Sequence, residues 1–299
     1  MTESTVISVE NLTKLYGNSI GVSNINFSVN SGEIFGFLGP NGAGKTTTIR
    51  IMLDLLRPTS GMIKIFGKKV QNDSIHIRSL TGYLPGNFST FTGMTGNEFL
   101  RFVSLQRKLS FLRPQRLYER FELTSGDLSK KLSQLSQGML QKLGIIQAVM
   151  HNPKLLILDE PTNGLDPLMQ EEFYHLLLEM QGKGCTIFFS SHNLSEVEKI
   201  CHRIGVIRNG EIVALETLQN LKKKRYRKLK LTLGKPISGL TIKNADIISK
   251  NGSVYEFLIK GDTKNLINEL NNLPVEDFIF PEPSLDEVFR AYYKDKDHE

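Results

Sequence analysis

The sequence contains no tryptophan, only two cysteines, and 8% aromatic residues in a chain of 299. Cys185 and Cys201 stand in no metal-binding or redox spacing. A disulfide framework, a cysteine zinc site and a thiol oxidoreductase are therefore excluded, and both residues read as reduced thiols. No apolar run approaches the roughly 20 residues that a membrane-spanning helix needs, so any service to a membrane is expected to run through a partner. Residues 1–5 carry neither a basic region nor an apolar stretch, and no secretory signal is expected. Charge of one sign is not dominant: 37 Lys and Arg face 31 Asp and Glu, for a net charge of +6. That balance suits an anionic ligand or a membrane surface but is too small to argue for nucleic acid by itself. With 39% hydrophobic and 23% charged residues, the chain has an ordinary globular composition and enough length for two domains.

What is present begins with Gly39-Pro40-Asn41-Gly42-Ala43-Gly44-Lys45-Thr46, followed by Thr47. This fits G-x-x-x-x-G-K-[ST], the phosphate-binding P-loop. The apolar run at residues 33–38 reads as a buried strand, and residues 46–56 place Ile49, Met52, Leu53 and Leu56 at helical spacing. Strand, glycine loop and helix together give the pattern its context. Glycines let the backbone curl around an anion with its N–H groups inward, and the helix beginning near Gly44 adds its positive end. Lys45 is expected to reach the β- and γ-phosphates, and the Thr46 hydroxyl to hold Mg²⁺.

Residues 155–160, Leu-Leu-Ile-Leu-Asp-Glu, describe a central buried strand that delivers two carboxylates to its carboxyl end, where ligands bind in open α/β sheets. Asp159 is expected to serve Mg²⁺ and Glu160 to polarise the water that attacks the γ-phosphate. Thr186-Ile187-Phe188-Phe189-Ser190-Ser191 reads as a further buried strand with His192 at its end, within reach of the same phosphate. Ser136 is a good helix-capping type, and with Gly138 it offers a second anion site at the start of a helix carrying Leu140, Leu143, Ile145, Ile146 and Val149. Between residues 97 and about 122, Phe99, Phe102 and Val103 share one helical face in a mainly helical insertion.

Short alternating runs at residues 6–9 and 25–29 predict a small antiparallel sheet ahead of the P-loop. Between them lies Tyr16, flanked by turn residues; on spacing alone, a core ring and an exposed, adenine-stacking ring are equally good readings. Strands are expected at residues 62–67 and 81–85, and residues 161–167 form a turn into a helix over residues 168–180. Residues 203–207 and 211–214 form a hairpin around Asn209-Gly210. Beyond residue 215 the texture changes. Lys222, Lys223, Lys224, Arg225, Arg227, Lys228 and Lys230 crowd together. Strands at residues 229–233 and 254–259 and helices at 263–270 and 285–293 outline a small domain without a catalytic constellation. The basic run reads as a solvated face, with contact to anionic lipid or an acidic partner as its functional alternative.

In this order the motifs resemble the ATP-binding subunit of ATP-binding cassette (ABC) transporters over residues 4 to about 215. Residues 135–139, Leu-Ser-Gln-Gly-Met, resemble the family's LSGGQ signature, residues 163–166 (Asn-Gly-Leu-Asp) its D-loop, and His192 its switch histidine. Tyr16 matches the adenine-stacking aromatic. The resemblance implies an α/β fold: a P-loop NTPase core of the ABC type with antiparallel β and helical subdomains, plus a small C-terminal α+β domain. The ATP-binding domain is expected at 1–215, with its helical insertion at about 87–150, and the accessory domain at 216–299. ATP and Mg²⁺ are the implied cofactors. The resemblance places Tyr16, residues 39–47, Ser136, Gly138 and Asp166 at the nucleotide, Thr46 and Asp159 at the metal, and Glu160, His192 and Lys45 at the chemistry. It further implies a head-to-tail homodimer with ATP sandwiched between the P-loop of one subunit and the signature of the other. The implied partner is a separate integral-membrane permease, with no nucleic acid, and the implied location is the cytoplasmic side of the cell membrane. The short Gly-Tyr-Leu-Pro strand, the variant signature and the extra domain resemble the bacterial or archaeal subclass that exports drugs, antibiotics, lipids or ions.

Two departures stand out. After Pro85 the family places glutamine or glutamate, which serves Mg²⁺ and permease coupling; here Gly86 stands there, with Asn87 as a substitute candidate. The signature has Gln137 and Met139 where the family has Gly and Gln, while Ser136 and Gly138 remain. Two other readings stay open: a soluble ABC-type ATPase acting on nucleic acid or ribosomes, and a regulatory module that binds ATP but barely hydrolyses it.

Overall fold

The computed structural model describes residues 4–86, 93–107, 114–223, 226–260 and 264–281. The chain divides into two compact units, Met1–Leu215 and Glu216–Glu299.

The first unit opens with β1 (Thr5–Tyr16) and β2 (Ser19–Asn30), an antiparallel pair in which Val9 faces Phe27. β3 (Ile34–Leu38) then leads through the glycine loop to α1 (Lys45–Met52), followed by β4 (Ser60–Ile65), β5 (Lys68–Lys69), α2 (Val70–Leu80) and β6 (Thr81–Leu84). The helical insertion holds α3 (Gly96–Gln106), α4 (Gln115–Arg120), α5 (Ser125–Ser129) and α6 (Gln137–Val149). β7 (Leu155–Asp159), α7 (Pro167–Gly182), β8 (Thr186–Ser191), α8 (Leu194–Ile200), β9 (Arg203–Arg208) and β10 (Glu211–Thr217) complete it.

Two sheets result. β2-β1-β4-β5 is antiparallel, and β10-β9-β3-β8-β7-β6 is built on a parallel centre. Three of its four inner strands, β3, β7 and β8, are buried along their whole length, which is why they read as continuous apolar runs rather than alternating ones. One core cluster joins both sheets: Phe27 stacks on Phe35 with centroids 5.6 Å apart and also meets Phe37 and Phe188. The parallel register brings Leu38, Asp159 and Ser191 to one edge of the sheet. The site is built there.

Some expectations need correction. α1 stops at Met52, not Leu56: Leu53 caps it and Asp54 takes a left-handed φ of 57°. In α3 the buried face centres on Phe99, Leu100 and Ser104, whereas Phe102 is 36% exposed. The Asn209-Gly210 turn has positive φ at both residues, as a two-residue hairpin requires.

The second unit holds α9 (Leu218–Lys223), β11 (Tyr226–Leu233), β12 (Ala245–Asn251), β13 (Val254–Lys260), α10 (Lys264–Leu270) and β14 (Val275–Ile279). Its antiparallel sheet has the order β12-β13-β11-β14. Leu229, Leu231, Leu233, Tyr255, Phe257 and Ile259 form its core with Leu266 of α10. The helix expected at 285–293 lies outside the described residues.

Candidate functional site

The glycine loop is held from three sides. The Gly39 N–H donates to the Ser191 carbonyl, the Ala43 N–H to Pro40, and the Gly210 N–H to the Ala43 carbonyl. Gly44 caps α1 at φ 109°, and a Cβ there would lie 2.6 Å from the Gly21 carbonyl. Only glycine fits this close turn. Asn41 and Gly42 stand exposed at the loop tip.

Lys45 is 5% exposed, and its ammonium makes three contacts inside its own chain. They are the Gly39 carbonyl at 2.7 Å, the Pro40 carbonyl at 3.1 Å and Glu160 Oε1 at 3.1 Å. An ammonium has three N–H donors, so each has a partner here. Asp159, 3% exposed, accepts from the Ser190 hydroxyl and from Thr46, both at 2.8 Å. Glu160 sits at a left-handed φ of 48°, where its N–H donates to the Ser190 carbonyl and hydroxyl. Such a backbone costs about 1–2 kcal/mol in a non-glycine residue. Its second oxygen receives Asn163 Nδ2 and lies 3.1 Å from His192 Nδ1. Burial pushes the Glu160 carboxyl up, but the Lys45 and Asn163 hydrogen bonds and the Lys45 and His192 charges outweigh it and hold it below its ordinary value.

Two clefts open onto this cluster. One, of about 290 Å³, is lined by Tyr16, Gly42, Gly44, Lys45, Thr46, Thr47 and Glu160, among others. Tyr16 is 47% exposed, so the core reading of this ring is overturned. Its hydroxyl lies 3.5 Å from Thr47 Oγ1. The other cleft, of about 310 Å³, is lined by Thr46, Arg50, Tyr83, Gly86, Asp159 and Glu160, among others. Here Gly86 finds a local reason: a Cβ would lie 2.9 Å from the Asp159 carbonyl. Asn87 lies outside the described residues, as do the side chains of Lys222, Lys223, Lys224 and Arg225.

Ser136, Gly138 and Asp166 line neither cleft. Ser136 caps α6 through the Met139 N–H, and Asp166 caps α7 through the Met169 N–H. A Cβ on Gly138 would lie 2.8 Å from the Gly164 carbonyl, so the signature loop packs against its own D-loop. Sequence reasoning missed Ser190 and Ser191 as site residues and the carboxylate of Glu196, which takes the Ser191 hydroxyl. Hydroxyls ending the apolar strand Thr-Ile-Phe-Phe-Ser-Ser were the available signal.

Thr46 and Asp159 offer only oxygen donors, already in contact. Among the described residues no group of three or more His, Cys, Asp or Glu side chains is placed to hold a metal ion by itself. That set fits a hard cation drawing its remaining ligands from phosphate and water, as Mg²⁺ does, rather than an all-protein metal cage. No described helix is long and apolar enough to cross a membrane.

Comparison with known proteins identifies the family. The family pattern described as ABC transporter matches residues 22–163. The chain is 34% identical over 301 residues to the bacitracin transport ATP-binding protein BcrA of Bacillus licheniformis, with 96% of both chains covered. A solved ATP-binding subunit of an ABC transporter superposes with a TM-score of 0.68 at 31% identity, covering 73% of this chain and 92% of that one. A dimeric ATP-binding cassette in a post-hydrolysis state, bound to ADP and Pi, superposes with a TM-score of 0.65 at 25% identity, covering 71% and 98%. By these matches the chain belongs to the ABC transporter family as one of its ATP-binding, ATP-hydrolysing subunits.

Proposed function

We propose that two copies of this chain close head to tail on ATP and that its hydrolysis powers export through a separate membrane permease. The observation that carries this reading is the convergence of Lys45, Asn163 and His192 on Glu160, beside the Asp159–Thr46 pair. Phosphate entering the loop meets the N–H groups around Gly42 and Gly44 and the start of α1. It also draws the Lys45 ammonium away from Glu160, leaving the carboxylate free to take a proton from the attacking water. His192 then holds Glu160 from the opposite side. Thr46 and Asp159 would hold Mg²⁺, which would neutralise phosphate charge there. Tyr16 stacks the adenine.

Ser136, Gly138 and Asp166 serve the partner copy's nucleotide, in keeping with their placement away from their own clefts. A relative that is dimeric and bound to ADP and Pi supports a nucleotide-bound dimer. The match to a protein named for bacitracin transport extends over both units. An antibiotic-exporting permease is therefore the first partner to test, with the chain bound peripherally at the inner face of the membrane. The 1–215 and 216–299 division is read as ATPase and accessory domain.

A phosphate-release assay on the full chain tests the chemistry. Glu160→Gln keeps the side chain's shape and removes its basicity; ATP binding survives and turnover falls by roughly 10²- to 10⁴-fold, the range of general-base catalysis. Lys45→Ala weakens ATP binding itself. Wild-type turnover in Glu160→Gln removes Glu160 from the mechanism.

A further inference from the structure

β8 ends in two buried hydroxyl residues, and only one of them serves Asp159. Ser190 donates to Asp159. Ser191 instead donates at 2.6 Å to Oε2 of Glu196, in the first turn of α8. The other oxygen of the same carboxylate accepts the Thr162 hydroxyl at 2.9 Å. Thr162 and Ser191 are 4% and 1% exposed. Glu196 lines neither cleft.

The two donors belong to different functional segments. Thr162 lies two residues beyond Glu160, in the turn that runs on to Asp166. Ser191 immediately precedes His192, and its carbonyl accepts the N–H of Gly39 at the start of the phosphate loop. Hydrogen bonds to Ser190 anchor the N–H of Glu160 itself. Glu196 fixes what those bonds leave open: the exit of the Glu160 turn and the entry to His192. Hydrogen bonds to an ionised acceptor are roughly twice as strong as neutral ones. Deleting the carboxylate leaves the buried Thr162 hydroxyl to find a new partner and leaves Ser191 only its contacts with the Asn193 backbone, whose N–H donates to the Ser191 hydroxyl at 2.9 Å.

We infer that Glu196 is a positioning residue, which sets the 3.1 Å contact between Glu160 and His192 by holding Thr162 and Ser191 on one carboxylate. The inference rests on the roles of Glu160 and His192 proposed above. Since Lys45, Thr46 and Tyr16 do not touch this carboxylate in the structure, its loss acts on turnover and spares nucleotide binding.

The test uses the full chain with Glu196→Ala, Glu196→Gln and Thr162→Val, each alone and with His192→Ala. It measures kcat, melting temperature and the affinity for a fluorescent ATP analogue. Misplacement by about an ångström costs on the order of 10- to 100-fold in rate. Glu196→Ala is expected to lower kcat by that order while changing analogue affinity less than about twofold, the cost falling on positioning alone. Glu196→Gln keeps an acceptor and recovers part of the rate. Thr162→Val, nearly isosteric, reproduces a several-fold loss of kcat without a large change in melting temperature. In the His192→Ala background Glu196→Ala adds little, because residues acting as a unit are non-additive. Equal losses in both backgrounds overturn the inference, as does an unchanged kcat in Glu196→Ala and Thr162→Val. Parallel falls in affinity, rate and melting temperature overturn it in favour of a role in fold stability. If His192→Ala turns over like the wild type, the underlying reading fails and the inference with it. If His192→Ala is slow and Glu196→Ala is not, Glu196 alone is removed.

Discussion

Lys45 makes all three of its donor contacts within its own chain, and this has a measurable consequence at the residue scale. In the proposed mechanism, phosphate competes with Glu160 for the same ammonium. Removing the carboxylate therefore raises ATP affinity, apart from any effect on turnover. The comparison needs a background that blocks dimer formation, which Ser136→Arg supplies by placing bulk and charge at the opposing half-site. Between Ser136→Arg and Ser136→Arg/Glu160→Gln, ATP affinity is expected to rise about two- to fivefold, the scale of a partly exposed ion pair. Isothermal titration reads it, and an unchanged or weaker affinity contradicts the competition. At the other end of the cleft, Tyr16→Ala is expected to weaken ATP binding by about 1–3 kcal/mol and Tyr16→Phe to preserve it, since stacking needs only a ring. Equal affinities in all three proteins remove Tyr16 from the adenine site. Gly21 has its own place in this arrangement: a Cβ there would lie 2.7 Å from the Tyr16 ring.

Among the elements, α6 joins the signature to the base of β6. Gln147 donates to the Tyr83 carbonyl at 2.6 Å and Gln141 to Pro161, also at 2.6 Å. Just beyond the helix, His151 contacts the Thr81 carbonyl while its buried Nδ1 has no hydrogen-bond partner among the described residues. Burial, reinforced by the charge of Arg107, pushes the His151 ring down to about 4 from an ordinary 6.5. The folded state therefore holds the ring neutral where the unfolded chain protonates it. Its stabilising contribution is complete above pH 6.5 and is lost as pH falls toward 4. The loss is on the order of 1–2 kcal/mol once solvent screening of the half-buried ring is allowed for. Melting curves from pH 7 to pH 4 should show a steeper fall for the wild type than for His151→Gln, which keeps a donor for Thr81. Parallel curves contradict the assignment.

The elements also show what the sequence made legible. β3, β7 and β8 were readable because burial on both faces leaves an uninterrupted apolar run, and the P-loop was readable because its chemistry is contiguous. β12 and β14 were not: both are sheet edges, exposed along nearly their whole length, without the alternation that marks a half-buried strand. At the site, Asp159 and Glu160 were legible as adjacent acids on one strand. The Lys45–Glu160 pair and the Ser191–Glu196–Thr162 link were not, because they join segments that only the parallel register brings together.

At the scale of the whole molecule, the cleft at the glycine loop is open where the signature is needed. Ser136 and Gly138 lie on a loop packed against its own D-loop rather than on their own cleft. In the dimer proposed above, a second copy supplies them and ATP is the element the two surfaces share. The most direct measurement of this claim is the mass of Glu160→Gln by size-exclusion chromatography with light scattering, with and without Mg-ATP. Without nucleotide the protein is expected at its monomer mass of 33.7 kDa. With Mg-ATP it should run at twice that mass, and adding Ser136→Arg should restore the monomer. A protein that binds ATP stoichiometrically and remains monomeric contradicts the account.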